Sequence, residues 1–285
     1  MEKSVPPPFG VYVPAVVWLE ENEELDEPAI RSHVLRLAQG GVTGILVQGS
    51  NGEAQHLSHE ERKHAIRLTR QTLDENGFKD VLVIAGTGGQ STKESIKLCV
   101  DARDAGAAYA LVLTPSTWPP QMTKPNIIRF HRTVADASPI PTMIYNFPVV
   151  TAGIDLDSDT ITTLGAHPNI VGTKLSCGNI GKLQRIASAL PASEFATFPG
   201  KADAHVHLLR LYKEGKLEEA IKLQALLGQA DWELGKLGSI AGIKAVVTKY
   251  FGYGAPHVRG PLAPLDMEKA TAEKLEQLVA LEKSL

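Results

Sequence analysis

Two stretches decide the fold: Pro141-Thr142-Met143-Ile144-Tyr145-Asn146-Phe147-Pro148 and Asn169-Ile170-Val171-Gly172-Thr173-Lys174-Leu175-Ser176. Each is short and almost continuously apolar, as a strand covered on both faces must be. The segment between them has room for one helix, which makes the pair a strand–helix–strand unit. The same rhythm continues on both sides. Strands are predicted at Gly10–Val17, Gly44–Ser50, Val81–Gly88, Ala110–Pro115 and Phe195–Ala202. The intervening helices carry start signals. Asp26 precedes Pro28, which suits a first-turn proline. Ser58-His59-Glu60-Glu61 and Ser91-Thr92-Lys93-Glu94 both fit the capping box. Ile30, Val34 and Leu37 form one apolar stripe; Ile96, Cys99 and Val100 form another. Seven strand-then-helix repeats imply an α/β protein with a parallel sheet, and favour a closed (β/α)8 TIM barrel over an open doubly wound sheet.

After Ala202 the rhythm changes. His205 to Gln229 reads as two helices broken at Gly215, and Leu237–Phe251 and Met267–Leu285 read as helices around a Gly/Pro-rich loop, Gly252–Pro264. The expected division is a catalytic TIM-barrel domain over 1–203, and the last barrel helix with a C-terminal helical extension over 204–285. An eighth strand is not evident. Ser239–Val247 is the one apolar candidate, but Gly242 and Lys244 interrupt it. One strand is due every βα unit, so a segment of about thirty residues is expected to be missing between Asp203 and Ala204.

Composition narrows the function. Lys plus Arg number 29 against 32 Asp plus Glu, a net charge of −3, and 43% of residues are hydrophobic. That balance argues against a nucleic-acid partner, which needs a basic face, and gives no support for membrane binding. Cys99 and Cys177 cannot build a disulfide framework. Val11–Leu19 is broken by Pro14 and makes neither a signal peptide nor a span. Met1–Pro8 is unlike an Arg-rich transit peptide. The expected location is cytoplasmic.

In a barrel of this kind the chemistry sits at the C-terminal ends of strands. That rule selects Gly49-Ser50-Asn51-Gly52-Glu53, Tyr145-Asn146-Phe147-Pro148 and Lys174. A lysine inside an apolar strand costs desolvation. Its stem could pack along the barrel with the ammonium in water, or it could be a lysine of lowered pKa able to attack a carbonyl. Tyr145 suits a strand on propensity alone, yet its place beside Lys174 makes it a candidate acid/base. The Gly49–Glu53 loop, with free N–H groups, a hydroxyl and an amide, can hold a carboxylate or phosphate. Gly86-Thr87-Gly88-Gly89 fits no nucleotide motif and reads as a turn.

Together these three segments resemble the signatures of the N-acetylneuraminate lyase and dihydrodipicolinate synthase superfamily. The likeness runs from about Gly10 to the C-terminus. It implies a (β/α)8 class I aldolase acting on pyruvate or another 2-oxo acid, with no metal or organic cofactor, assembled as a homo-oligomer (tetramer or dimer). It implies Lys174 as the Schiff-base lysine, Tyr145 as the proton-transfer group with Ser50, and Gly49, Ser50, Asn51 and Gly200 as substrate-binding positions. Departures narrow the branch. Val150 stands where dihydrodipicolinate synthases carry an arginine. Ser116-Thr117 follows Pro115 where they carry a tyrosine pair. Asn51 beside Ser50, and Leu175-Ser176-Cys177-Gly178-Asn179 after the lysine, look like the 4-hydroxy-2-oxoglutarate aldolases and the fungal aldolases that cleave L-threo-3-deoxy-hexulosonate.

A dihydrodipicolinate synthase is the nearest alternative. From another class, His205-Val206-His207 would suit a metal-dependent barrel hydrolase if it lay on a strand. The sequel Leu208-Leu209-Arg210-Leu211-Tyr212 reads as helix, on which the two rings diverge. A barrel that senses a 2-oxo acid without turning it over is a third reading, against which Lys174 and Tyr145 both argue. His56, His59 and His64 read as solvated positions in a charged stretch. Cys177 reads as a small packing residue.

Overall fold

The computed structural model describes residues 2–199, 205–266, 268 and 270–284. The elements in chain order are β1 (Tyr12–Pro14), α1 (Glu27–Gln39), β2 (Gly44–Val47), α2 (His59–Glu75), β3 (Leu82–Gly86), α3 (Thr92–Asp104), β4 (Tyr109–Leu113), α4 (Lys124–Ala137), β5 (Thr142–Asn146), α5 (Ser158–Gly165), β6 (Ile170–Leu175), α6 (Ile180–Ala189), β7 (Ala196–Pro199), α7 (His205–Lys213), α8 (Leu217–Lys236), α9 (Ile240–Phe251) and α10 (Glu273–Ser284). All seven expected strands form, and β1 to β6 are each shorter than their apolar runs. The chain builds two compact units, Met1–Phe9 with Leu82–Lys201, and Gly10–Val81 with Ala202–Leu285.

In the first unit, β3 to β7 pair in parallel and in chain order. The register sets Leu113 beside Tyr145, Tyr145 beside Lys174, and Lys174 beside Phe198. Paired residues of neighbouring strands point to one face, so these four side chains form a single row. The opposite face packs on the helices: Ile144 and Leu175 join Ile161, Leu164 and Ile186 in one buried cluster, with Cys177 packed against its edge. Gly88 is required by a close approach, since a Cβ there would lie 2.6 Å from the Leu113 Cβ.

In the second unit, β1 pairs with β2 in parallel. Trp18 is fully buried, with its ring edge-on to His33 and Tyr253. Burial pushes the His33 pKa down to about 3, and its Nδ1 meets the Tyr253 hydroxyl at 2.8 Å. The neutral ring therefore serves packing. Helices α7, α8 and α10 share a small apolar core around Leu211, Leu223, Leu227 and Leu278.

The caps separate two similar sequences. Ser58 accepts from Glu61 N, and Glu61 reaches back to Ser58 N, closing the box. Ser91 accepts from Glu94 N, but Glu94 Oε2 takes the Gln90 N–H instead. At Gly215, φ is +74°, and the chain breaks between α7 and α8 as expected. Helix α8 runs on to Lys236, past the expected end at Gln229. Ser239–Val247 does not form a strand: Ile240 to Phe251 is α9, whose Ala241, Ala245, Val246 and Val247 are buried. An apolar run with buried residues at this spacing satisfies a helix as well as a strand. Asp203 and Ala204 lie outside the described residues, as does Gly200.

Candidate active site

Tyr145 and Lys174 reach each other because β5 and β6 are adjacent and in register. Lys174 Nζ donates to Tyr145 Oη at 3.4 Å and lies 4.5 Å from the centre of its ring. Both residues are buried, Lys174 at 8% exposure. No carboxylate stands within ion-pair reach of Lys174 among the described residues. Burial alone pulls its pKa down, from 10.5 to about 8. A useful fraction of the amine is then neutral near neutral pH and nucleophilic toward a carbonyl. Phe147 stacks on Tyr145 at 5.7 Å and closes one side of the phenol.

The strand ends are tied together behind this pair. Ser176 N donates to Asn146 O at 2.9 Å, joining the residue after Tyr145 to the segment after Lys174. Asn146 Nδ2 donates to Asp155 at 2.7 Å, and its Oδ1 accepts from Leu156 N at 3.0 Å. Asp155 in turn pairs with the buried Lys182. Thr151 Oγ1 contacts both Phe147 O and Ile154 O, so the turn carrying Val149 and Val150 is held from its own two ends. After β4, the Ser116-Thr117 pair is held by Gln90, whose Oε1 accepts from Ser116 N, Thr117 N and Thr117 Oγ1. Sequence reasoning did not single out Asn146, Asp155, Lys182 or Gln90 for these roles. All four act through non-local hydrogen bonds, which leave no spacing signal.

The Gly49–Glu53 loop belongs to the second compact unit. It leaves β2 through Gln48 and makes a tight turn over Ser50–Gly52, with Gly52 N donating to Gly49 O and Glu53 N to Ser50 O, both at 3.1 Å. Gln48 (φ +60°) and Glu53 (φ +51°) bracket it in the left-handed region. The Glu53 carboxylate is fully buried and accepts from Lys244 Nζ at 2.6 Å and from Arg259 N at 2.8 Å. His56 Nδ1 lies 3.5 Å from Glu53 Oε2, so His56 faces this buried carboxylate and is not simply solvated. His205 and His207 open helix α7, where His207 meets Arg210 at 2.8 Å. Two positions apart on a helix, they do not share a face. Among the described residues no group of three His, Cys, Asp or Glu side chains could hold a metal. Nor is any helix among them long and apolar enough to cross a membrane.

Residues 7–208 match the dihydrodipicolinate synthetase family. Two curated relatives are similar over nearly full length. One is "Probable 4-hydroxy-2-oxoglutarate aldolase, mitochondrial" of Emericella nidulans, 44% identical over 97% of this chain and 96% of that protein. The other is "L-threo-3-deoxy-hexylosonate aldolase" of Aspergillus niger, 40% identical over the same shares. Among solved structures, YagE of E. coli K12, a prophage protein of the dihydrodipicolinic acid synthase family in complex with pyruvate, superposes with a TM-score of 0.84 at 26% identity, over 96% of this chain and 99% of that one. The chain belongs to the dihydrodipicolinate synthetase family. Its relatives and its α/β TIM-barrel fold put it among the class I aldolases of that family, as an enzyme of the lyase class.

Proposed function

We propose that the chain cleaves a 2-oxo acid through a Schiff base on Lys174. The substrate is a 2-keto-3-deoxy sugar acid such as L-threo-3-deoxy-hexulosonate, or 4-hydroxy-2-oxoglutarate. The observation that carries this reading is the buried Lys174, lowered in pKa and in contact with the Tyr145 hydroxyl. The printed activities of the Emericella and Aspergillus relatives support the substrate class. The Lys174 amine attacks the C2 ketone, and loss of water leaves an iminium. Tyr145, helped by the substrate carboxylate and Ser50, takes the proton of the C4 hydroxyl. The C3–C4 electron pair flows into the iminium as the aldehyde departs, glyoxylate in the case of 4-hydroxy-2-oxoglutarate. The enamine is protonated at C3, and hydrolysis returns pyruvate and free Lys174. Ser50 and Asn51 hold the carboxylate, and Gly49 and Gly200 are further substrate-binding positions. The lysine supplies the electron sink, so the reading needs no cofactor.

Borohydride reduction in the presence of pyruvate tests it. An adduct on Lys174 by peptide mass spectrometry supports the assignment, and an adduct on another lysine sinks it. A substrate panel then separates the two aldolase readings from the synthase alternative. Val150 offers no charged fork to a second carboxylate, so condensation of pyruvate with aspartate semialdehyde should be negligible. Efficient condensation would make the chain a dihydrodipicolinate synthase.

We further propose a homo-oligomer, dimer or tetramer, acting on a small molecule without nucleic acid or membrane. Light scattering of the purified chain checks the assembly, where a monomer refutes it. The cytoplasmic location stands against a relative whose name says mitochondrial, and fractionation of cells expressing the full chain decides between them. A segment of about thirty residues is proposed to be missing between Asp203 and Ala204; the Emericella match runs over 300 positions against 285 residues here, so it contains gap positions in this chain, as an omission requires, without their place being given. Sequencing the transcript should reveal extra codons between Asp203 and Ala204; an uninterrupted message would refute the omission.

A further inference from the structure

The Gly49–Glu53 loop is bracketed by two non-glycine residues in left-handed backbone, an unfavourable conformation for a side chain with a Cβ. Such geometry persists where the surroundings over-determine it. Gln48 is anchored within its own hairpin of elements, its Nε2 donating to Arg62 O in α2 at 2.6 Å. Glu53 is anchored from far away in the chain. Its Oε1 meets Lys244 of α9, and its Oε2 meets the Arg259 backbone. Lys244 also donates to His257 O, which fixes the ammonium to the same segment. The Arg259 guanidinium grips Glu61 at 2.7 and 3.1 Å and His56 O at 2.8 Å, and bonds Glu23 O.

A fully buried ion pair is weak evidence for stability, since apolar residues of the same volume often do as well. Its remaining use is to dictate one conformation. Here that conformation is the loop's: Glu53 N donates to Ser50 O, so the Glu53 dihedrals set the direction of the preceding peptide planes. We propose that Lys244, acting through the Glu53 carboxylate, is a positioning residue for the Gly49–Glu53 loop, so that the C-terminal helical extension sets the affinity for the 2-oxo acid carboxylate. This rests on the function proposed above, in which that loop holds the carboxylate.

The test compares borohydride trapping of pyruvate with trapping of hydroxyacetone, a ketone with no carboxylate. The variants are Glu53→Gln and the paired Glu53→Gln/Lys244→Met, which removes both charges and keeps the fold if the single variant loses it. Variants are first shown to be folded by thermal melting. The half-saturating pyruvate concentration should rise about tenfold or more, the scale on which small misplacements act. The limiting trapping rate and the hydroxyacetone rate should stay within about twofold of wild type. Two results overturn the proposal: an unchanged pyruvate half-saturation, or a parallel fall for both ketones, which marks a merely structural pair. If the wild-type chain traps no pyruvate at all, the proposed function itself fails, and that outcome is read before any variant is made.

Discussion

Lys174 and Lys244 are both long cations taken out of water, one at 8% exposure on β6 and the other at 0% on α9. Their surroundings differ in one respect. Lys244 faces a carboxylate at 2.6 Å that is itself fully buried. Lys174 faces a phenol. Burial draws both pKa values down, but at Lys244 the Glu53 carboxylate pulls the other way and favours the charged form. Lys182 is a third case, buried and paired with Asp155. Burial alone therefore does not make a reactive amine. What distinguishes Lys174 is burial without a counter-charge among the described residues, the condition under which a lysine sheds its proton most easily.

The largest effect should come from Lys174→Met. Trapping by pyruvate should vanish, since Lys174 is the residue proposed to carry the iminium. The same change should stabilise the fold at pH 7 by about 3 kcal/mol, because a desolvated ammonium is removed. The sign follows from the pKa values. Lys174 stands near 10.5 in the unfolded chain and about 8 in the folded one. Its penalty is complete below pH 8 and relieved between about pH 8 and 10.5, where the unfolded state holds the proton longer. The advantage of the variant should shrink over that window, and the trapping rate of the wild type should climb as pH rises through about 8. Denaturant melts at pH 7 and pH 10, with a rate profile, check both. A variant less stable than wild type at pH 7 would mean that Lys174 has a counter-charge after all.

Lys244→Met should do the opposite. It leaves the buried Glu53 carboxylate with the Arg259 backbone N–H, His56 and the attraction of the Arg259 guanidinium, but without its direct ion-pair partner, and breaking a buried pair by removing one partner costs up to about 3–5 kcal/mol. Adding Glu53→Gln should return much of that loss. A single variant that melts within a few degrees of wild type would show that the remaining partners of Glu53 support it without Lys244, and would remove the contrast with Lys174.

How much of this was legible from residues alone follows the same lines. Strands covered on both faces leave continuous apolar runs, so β1 to β7 could be placed. Consecutive strands in a parallel sheet are neighbours, which brought Tyr145 to Lys174. The lone charge in an apolar run that marked Lys174 also marked Lys244, inside Ser239–Val247. There it counted only as a break in a strand. The partner, Glu53, lies 191 residues away, and no periodicity links two such positions. His56 was read as solvated for the same reason: its neighbour Glu53 is buried by elements that local sequence does not reveal. Ser91-Thr92-Lys93-Glu94 fits the capping pattern as well as Ser58–Glu61, and only the observed Gln90 N–H shows why its box stays open.

Lys182 gives the smallest expected change and the finest probe of the comparison. Its side chain is as deeply buried as the other two, yet Asp155 is 43% exposed at the side chain. Removing the ammonium by Lys182→Met leaves a carboxylate that water can reach and that still accepts from Asn146 Nδ2 at 2.7 Å. Nothing comparable to a stranded Glu53 results. Lys182 also sits in the first turn of α6, where a positive charge opposes the helix dipole, so its loss brings a small compensating gain. The net effect should lie within about 1 kcal/mol of wild type. Trapping by pyruvate should continue, because Asn146 keeps its bond to Leu156 N. A loss as large as that of Lys244→Met would mean that the exposure of the partner carboxylate does not decide what a buried lysine is worth.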